Sequence, residues 1–353
     1  MSDQSRSLSS ASATEGGSDP ARGLPTLETV AAQAGVSRST VSRVVNGSPK
    51  VRPDVVDAVN ATIARMNYVP NRAARSLASR QTYAIALLVP EETTRFFGDP
   101  YFAAIVKGIT ARLEPTDYIL NLLVASSDPT RKTRRFLRSG SVDGALVVSH
   151  HASDRDLTEL NEAVPMVFGG RPAAQALSNS YYVDVDNLDG SRQATQHLIE
   201  RGARRIATIT GPPDMPASID RLAGWRQVMA GAGMAGDAVA DGDFTGPGAA
   251  SAMGTLLDRH PDLDAVFAAS DLMARGALEV LVARGRAVPG DVAVVGFDDS
   301  PAATAGELHL TTMRQPSETM GLQMAEMLLE LLAGRIPESP SILPTDLIIR
   351  DTA

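Results

Sequence analysis

The first residues able to do chemistry are hydrogen-bond donors clustered near the N-terminus of this 353-residue chain. A guanidinium can donate two hydrogen bonds to O6 and N7 of guanine, and hydroxyl and amide groups can donate to phosphate oxygens. The cluster therefore suits nucleic-acid binding. The donors are Ser37, Arg38, Ser39, Thr40, Ser42, Arg43 and Asn46.

A second group of polar and aromatic residues follows apolar runs farther along the chain. Ligands of open α/β sheets bind at the carboxyl ends of strands, so the polar residues just after strands are the candidates. Carboxylates, guanidinium groups and aromatic faces together suit a polyol, whose hydroxyls both donate and accept hydrogen bonds. The candidates are Phe97, Asp99, Tyr101, Arg171, Asp184, Asp186, Ser270, Asp271 and Asp298.

No pattern of a catalytic or metal centre is found in the sequence. The absence of cysteine excludes disulfides, thiolate metal sites and cysteine nucleophiles. The adjacent His150 and His151 lack an i,i+4 histidine partner, and the glycines of 231–236 follow a helix instead of a strand. There is no G-x-S-x-G elbow, and nothing places two acids at the separation that glycoside cleavage needs. We therefore expect no enzymatic activity, no metal and no cofactor.

The net charge of −8 hides an uneven distribution. Residues 26–80 have eight basic and three acidic side chains, a net charge of +5. Residues 81–353 have 23 basic and 35 acidic side chains, a net charge of −12. A basic module on an acidic body indicates a polyanionic partner, although an arginine-rich solvated face is the alternative.

The composition also indicates where the chain resides. No run approaches the ~20 apolar residues of a membrane helix, and the N-terminal segment lacks the apolar core of a signal peptide. We expect a cytoplasmic protein without membrane contact. Residues 1–24 are rich in Ser, Ala and Gly, which predicts a disordered tail.

Three short helices are predicted between Thr26 and Tyr68. Thr26 and Ser37 are suited to N-caps, and Gly35 to the turn that ends the first helix. The second helix is predicted over Arg38–Val45, and Pro53 is suited to the first turn of the third.

The pattern changes after Thr82, where apolar β-branched runs alternate with helical stretches. Near-continuous apolar strands separated by amphipathic helices favour parallel sheets covered on both faces, here in two α/β lobes. The predicted strands include Ala84–Val89, Ile119–Ala125, Gly144–Ser149, Pro165–Phe168, Tyr181–Tyr182, Ile206–Thr210, Ala265–Ala269 and Val292–Phe297.

Three motifs carry a resemblance to a known family: AGVS at 34–37, TVSRVVNG at 40–47 and YVPNRAARSLAS at 68–79. With these motifs the chain, from 26 to about 350, resembles the LacI family of bacterial transcriptional repressors. The resemblance implies a helix-turn-helix domain over 25–70, a hinge helix over 71–80, and an effector-binding and dimerisation domain over 81–353. It implies that this last domain resembles periplasmic sugar-binding proteins, with two lobes, three crossovers and a cleft.

Roles at the DNA follow from the resemblance, position by position. Arg38 and Ser39 would open the recognition helix and read bases with Arg43, for which a phosphate contact is the alternative. The residues that would bind phosphates are Ser37, Thr40, Ser42 and Asn46. Leu77 would insert into the minor groove at the centre of the operator, or pack against its dimer mate, or both. Thr26, Tyr68, Asn71, Arg72 and Ala78 complete the predicted DNA contacts.

Two departures from the family pattern concern helix ends. Thr29 stands where the family usually has an acid, so the capping box lacks its carboxylate and a weaker helix end is expected. Asn67 replaces the usual glycine, which should be harmless because Asn tolerates the left-handed conformation.

The resemblance adds three residues to the effector site. Arg221 matches the arginine that binds the ligand in the family, Trp225 follows it on the same helix, and Gln315 lies at a crossover. A structural ion pair is the alternative for Arg221 and Asp298, and core packing is the alternative for Trp225. Ser270 replaces the family's asparagine, which leaves the identity of the ligand open.

These observations favour a homodimeric repressor of sugar uptake or catabolism genes that binds a pseudo-palindromic operator and responds to a mono- or oligosaccharide. The alternatives are a sugar transport protein, which the basic module argues against, and a sugar-acting enzyme, which lacks an acid pair. Whether the ligand releases or promotes DNA binding stays open, since both occur in the family. The sequence shows no added heptad repeat, so we do not expect a tetramer.

Overall fold

The computed structural model describes residues 25–45, 47–69, 81–126, 131–154, 156–173, 177 and 180–353. Its contacts divide the chain into two compact units, Met1–Arg80 and Gln81–Ala353. The predicted tail over 1–24 and hinge over 71–80 lie outside the described residues, as does Asn46. Within the described part, no helix is long and apolar enough to cross a membrane.

The first unit contains the three predicted helices, α1 (Leu27–Ala34), α2 (Arg38–Val45) and α3 (Pro53–Met66). Their apolar faces meet in a small core because the buried positions recur at helical spacing. Buried in this core are Val30, Ala31, Val41, Val44, Val59 and Tyr68.

The ends of these helices confirm one expectation and correct another. Asn67 ends α3 in the left-handed conformation, with φ of 49°, as predicted. The expectation of an incomplete cap on α1 is wrong, because Thr29 completes the capping box with its hydroxyl. The Thr26 amide donates to Thr29 Oγ1 at 2.8 Å, and the Thr29 amide donates to Thr26 Oγ1 at 3.3 Å. A hydroxyl thus replaces the carboxylate as acceptor.

Lobe 1 of the second unit is built on a parallel six-stranded sheet. Its strands are β1 (Ala84–Val89), β2 (Ile119–Val124), β3 (Gly144–Val148), β4 (Met166–Gly169), β5 (Tyr181–Val185) and β11 (Ser341–Leu343), in the order β11-β5-β4-β3-β1-β2. Helices cover both faces, as the continuous burial of the inner strands requires. They are α4 (Thr93–Gly98), α5 (Pro100–Leu113), α6 (Lys132–Arg138), α7 (Asp156–Ala163) and α12 (Ser317–Leu332).

Lobe 2 repeats this architecture with one antiparallel edge strand. Its strands are β6 (Ile206–Thr210), β7 (Val239–Asp241), β8 (Ala265–Ala268), β9 (Ala293–Asp298), β10 (Thr311–Arg314) and β12 (Asp346–Ile348), in the order β12-β10-β9-β8-β6-β7. Strand β12 runs antiparallel to β10. The helices on its faces are α8 (Asn187–Glu200), α9 (Pro216–Gly231), α10 (Gly246–Arg259) and α11 (Asp271–Ala283).

The chain passes between the lobes three times, as the resemblance implied. The first passage joins β5 to α8, the second joins β10 to α12, and the third joins β11 to β12. Lobe 1 is therefore completed by two segments, α12 and β11, that follow most of lobe 2 in the sequence.

Helices α5 and α12 of lobe 1 cross with their backbones in close contact. A Cβ added at Gly108 of α5 would overlap the backbone carbonyl oxygen of Glu318, and one added at Gly321 of α12 would overlap that of Ile105. The crossing therefore requires glycine on both helices, and it fixes α12 against the rest of lobe 1.

Candidate nucleic-acid interface and effector cleft

Hydroxyl groups gather at the amino end of α2. The Thr40 amide donates to Ser37 Oγ at 3.1 Å, so Ser37 is the N-cap that the sequence predicts. The Ser37 hydroxyl also lies 2.8 Å from both Ser39 Oγ and Thr40 Oγ1. Free amides at a helix N-terminus favour anions, and these hydroxyls add further donors. This end of α2 can therefore bind a phosphate.

The two arginines of α2 are exposed, while Val41 and Val44 between and beside them are buried. Arg38 Nε lies 2.9 Å from Glu28 Oε1 of α1. Such an exposed ion pair is weak, so Arg38 can exchange it for another acceptor. The exposed side of α2 therefore presents two guanidinium groups, which are five residues apart along the helix.

Two other predicted DNA residues have structural roles in the first unit. The Thr26 hydroxyl caps α1, and the Tyr68 side chain is only 6% exposed in the small core. The remaining predicted contacts, Asn46, Asn71, Arg72, Leu77 and Ala78, lie outside the described residues.

A cavity of about 680 Å³, including its open mouth, lies between the two lobes at the carboxyl ends of their strands. The structure brings most of the predicted effector residues to its wall. Those lining it are Asp99, Tyr101, Arg171, Asp184, Arg221, Ser270, Asp298 and Gln315.

Arg221 is held in place from several sides and is buried in the cavity wall, with 4% of its surface exposed. Its guanidinium donates to Asn187 Oδ1 at 2.8 Å, to the carbonyl oxygen of Ala269 at 2.6 Å and to Gln315 Oε1 at 2.8 Å. It also stacks on the Phe297 ring, 3.6 Å from the centroid. Burial lowers the pKa of Arg221, but an arginine stays charged in proteins. The Arg221 cation is thus fixed where Asn187, after the first crossover, and Gln315, at the second, come together.

Asp298 lies beside Arg221, with Oδ1 3.7 Å from its Nη1. Burial raises the pKa of Asp298, and the nearby Arg221 opposes that rise. Its backbone has φ of 117°, a strained value for a residue with a side chain. Strain of this kind is concentrated at ligand sites. The distance to Arg221 also fits the alternative role for these two residues, a structural ion pair.

The lobe 1 wall holds two further carboxylates. Asp184 accepts hydrogen bonds from the amides of Arg171 and Val185, both at 2.8 Å, and from the side chain of Asn187 at 3.0 Å. Asp99 caps α5 by accepting from the Tyr101 amide at 2.9 Å. Burial raises the pKa of both acids. These oxygens are therefore fixed in direction and can accept further hydrogen bonds from hydroxyl groups.

Arg171 connects the two lobes at the cavity wall. Its Nη2 lies 2.8 Å from both carboxylate oxygens of Asp220 on α9. Because Arg171 follows β4 in lobe 1 and Asp220 belongs to lobe 2, this ion pair crosses the cleft. Arg171 has thus a structural partner in addition to its place on the wall.

Phe244 forms an aromatic wall that the sequence analysis missed. It follows β7 with φ of 51°, and a Cβ added at Gly211 would overlap its ring. The Arg95 guanidinium from lobe 1 lies 5.7 Å from the ring centroid. An aromatic residue after an apolar strand would have been the signal, but β7 has only three residues. Other lining residues that were not predicted include Arg95, Ser149, His150, Asn187, Met215 and Met320.

Four predicted effector residues do not reach the cavity wall. Phe97 on α4 is 74% exposed, and Trp225 is fully buried in the lobe 2 core, which was its alternative. Asp186 is exposed and caps α8 by accepting from the Asp189 amide at 2.9 Å. Asp271 is buried behind the wall, where it accepts from Thr312 Oγ1 at 2.6 Å; burial raises its pKa to about 7.

Within the described residues, no group of three or more His, Asp or Glu side chains could hold a metal ion. Several polar groups of the cavity are instead hydrogen-bonded to one another. The arrangement can bind a polar organic molecule between an aromatic face and directed carboxylates.

Known protein families match both the N-terminal unit and the two-lobed unit of the chain. Residues 26–71 match the bacterial regulatory proteins of the lacI family, and residues 195–353 match the periplasmic binding protein-like domain. The HTH-type transcriptional regulator CelR of Thermobifida fusca is 47% identical over 336 residues, which cover 94% of this chain and 99% of CelR.

Two solved structures are similar along most of the chain. The CelR–cellobiose complex has a TM-score of 0.74 and 45% identity, covering 93% of this chain and 100% of that one. The Lac repressor dimer bound to operator and the anti-inducer ONPF has a TM-score of 0.82 and 28% identity, covering 93% of this chain and 98% of that one. The predicted fold class, a two-lobed α/β body with a small helical domain, is confirmed. The chain belongs to the lacI family of bacterial regulatory proteins, and it is a DNA-binding regulator of transcription and not an enzyme.

Proposed function

We propose that two copies of this chain repress transcription from a pseudo-palindromic operator and that a neutral oligosaccharide of the cellobiose type, bound in the cleft, controls their affinity for it. In this proposal the protein acts in the cytoplasm, on the nucleoid. Residues 71–80 act as hinge helices at the centre of the operator. The regulated genes serve sugar uptake or catabolism.

The relatives support this assignment by what they bind. A solved relative at 45% identity is a complex with cellobiose, and the Lac repressor structure is a dimer on its operator. The candidate base-reading side chains, Arg38 and Arg43, are exposed on α2.

The charge of the cavity favours a neutral ligand. Arg95 pairs with Glu91 at 3.2 Å and Arg171 pairs with Asp220, so two of the cations are already neutralised. Arg221 remains, facing the carboxylates of Asp99, Asp184 and Asp298. A ligand that brought another negative charge would lose its hydration without finding a free cation. Sugar hydroxyls, in contrast, can donate to these carboxylates.

The observation that carries the proposal is the position of Arg221. It binds Asn187 after the first crossover and Gln315 at the second, and it also lines the cavity. A ligand that contacts this guanidinium therefore acts on the segments that set the arrangement of the lobes. That is the coupling an effector needs.

Fluorescence anisotropy with labelled DNA would test this function. The operator is first selected from genomic fragments, and its affinity is then measured with cellobiose, with maltose, and with cellobionate, which carries an added carboxylate. We expect cellobiose to change operator affinity by at least about fivefold, a coupling at the low end for allosteric proteins. Cellobionate should be far less effective. Absence of sequence-specific binding would contradict the repressor, and equal effects of all three sugars would contradict the ligand class.

A further inference from the structure

His151 lies at the junction of the two lobes, just after β3 of lobe 1. Its Nδ1 is 2.8 Å from Asp214 Oδ1, in the loop between β6 and α9 of lobe 2. Its Nε2 is 3.3 Å from Glu91 Oε1, which follows β1 in lobe 1. The next amide, that of Ala152, donates to the carbonyl oxygen of Asp214 at 3.1 Å. The imidazole and the backbone beside it thus join the lobes.

Both ring nitrogens face a carboxylate, and this arrangement suits only one protonation state. A neutral imidazole has a single N–H, so it could donate to one of the two carboxylates. The imidazolium donates to both. The geometry therefore selects the charged ring when the lobes are together.

The other charged groups around the ring add to the acidic excess. Asp154, in the same loop, accepts from the His151 amide at 2.7 Å. Arg95 of α4 is the opposing cation, but it pairs with Glu91 at 3.2 Å and lies 3.9 Å from Asp243 of lobe 2. The neighbouring His150 turns toward the Gly170 carbonyl oxygen, and burial lowers its pKa. The titratable and charged groups facing His151 are thus Glu91, Arg95, His150, Asp154, Asp214 and Asp243.

We infer that His151 is a positioning residue for effector binding, because its bridge to Asp214 couples closure of the lobes to the binding of a proton. This inference rests on the proposed function, in which the ligand is enclosed between the lobes. His151 is absent from the cavity wall, so it acts through the lobe arrangement and not by touching the ligand.

The direction of the pH effect follows from the partners of the ring. Hydrogen bonds with Glu91 and then Asp214 raise the pKa of His151 from its usual 6.5 to about 9. When the lobes separate, Asp214 leaves with lobe 2 while Glu91 stays with His151 in lobe 1, so the pKa falls part of the way toward its usual value. The stabilisation of the closed arrangement is therefore complete below pH 6.5 and is lost as the pH rises through about 9.

The bridge can be tested without any ligand. NMR titration of the full chain labelled at histidine gives the pKa of each imidazole, and the His151→Gln variant identifies the signal of His151. We expect a value near 9 in the wild type and a value lower by about one unit or more in Asp214→Asn, which keeps the side-chain shape. An equal His151 pKa in the two proteins would overturn the inference.

Calorimetric titration with cellobiose then tests the coupling. Between pH 7 and pH 9.5 the wild-type affinity should fall at least about threefold, with uptake of up to about one proton per site near pH 8. The difference between the wild type and His151→Gln isolates the histidine, since Gln keeps a hydrogen-bond donor but does not titrate.

The matched control is His309→Gln, which removes a histidine paired with Asp351 at 3.6 Å inside lobe 2. It should keep the wild-type pH profile. If His151→Gln also keeps that profile, the coupling is wrong. If cellobiose binds to none of these proteins, the proposed effector is wrong, and the NMR titration alone decides whether His151 senses lobe 2.

Discussion

Arg221 shows how one side chain can both maintain the cleft and sense its contents. Its three hydrogen bonds leave from different nitrogens, which only the planar fork of a guanidinium allows. Its charge is compensated by Asp298 at the cavity wall. A lysine at this position would keep the charge but not the geometry.

We therefore predict that Arg221→Lys weakens cellobiose binding by about ten- to a hundredfold, the loss of one or two charge-assisted hydrogen bonds. Operator affinity without the sugar should stay within about twofold, because α1–α3 belong to the other unit. Arg226→Ala, at an exposed position on the same helix, is the control. Both affinities can be measured by anisotropy and calorimetry, and unchanged sugar binding in Arg221→Lys would contradict the role.

A second prediction at this scale concerns Leu77, whose role follows from the family resemblance. Leu77→Ala should reduce affinity for the selected operator at least about tenfold while affinity for unrelated DNA changes little, because an inserted apolar wedge acts only at a kinked centre. Competition gel shifts with the two DNAs separate the effects. Equal losses on both would mean that Leu77 only packs between hinge helices.

The sequence identified the chemistry of the cleft better than its aromatic wall. Asp99, Arg221 and Asp298 were found because they follow apolar strands or lie in a recognisable motif. Phe244 was missed because its position depends on a three-residue strand and on the space left by Gly211, which lies 33 positions earlier. Contacts of this kind are set by tertiary structure and leave no local pattern.

At the scale of elements, the crossing of α5 and α12 fixes one wall of the cleft. Asp99 and Tyr101 lie at the amino end of α5, and Met320 lies in the first turns of α12. The two helices approach closely because glycine stands at the crossing point on each. Their packing therefore holds cavity residues from distant parts of the sequence together.

We predict that Gly108→Ala lowers the free energy of unfolding by about 1–3 kcal/mol, because the added methyl meets a backbone oxygen that cannot move alone. The control is Gly254→Ala on α10, where nothing lies within 4 Å of the new Cβ. That variant should gain up to about 1 kcal/mol from helix propensity. Denaturant unfolding of both variants checks the pair, and equal stabilities would rule out a tight crossing.

Secondary structure was predictable wherever periodicity was long enough to be recognised. The predicted strands of both lobes are found because they are buried apolar runs; their ends agree within one residue, except that Tyr181–Tyr182 extends three residues farther, to Val185. The short strands β7, β11 and β12 were not predicted, since three residues show no period. The cap of α1 was misjudged because Thr29 was judged by its charge and not by its hydroxyl.

At the scale of the whole molecule, the charge of the chain is divided between its units. The segment with a net charge of +5 contains α1–α3, and the segment with −12 contains the two lobes. An acidic body opposes non-specific contact with DNA and leaves the basic unit as the site of docking.

Operator binding should accordingly weaken by more than about a hundredfold between 50 mM and 200 mM salt, because basic side chains release counterions from the phosphates. Binding of cellobiose, a neutral molecule, should change less than about twofold over the same range and serves as the internal control. Anisotropy titrations at several salt concentrations measure both. Salt-insensitive operator binding would contradict an interface built on phosphate contacts.

The three passages between the lobes have a consequence for the order in which the protein forms during synthesis. The small core of the first unit is complete at Tyr68, so this unit can fold while most of the chain is still to be made. Lobe 1 begins at β1 but receives α12 and β11 only after all of lobe 2 except β12 and the C-terminal residues that follow it has been synthesised. Until then its sheet lacks an edge strand and a covering helix. A DNA-binding unit thus emerges from the ribosome well before the cleft that regulates it exists.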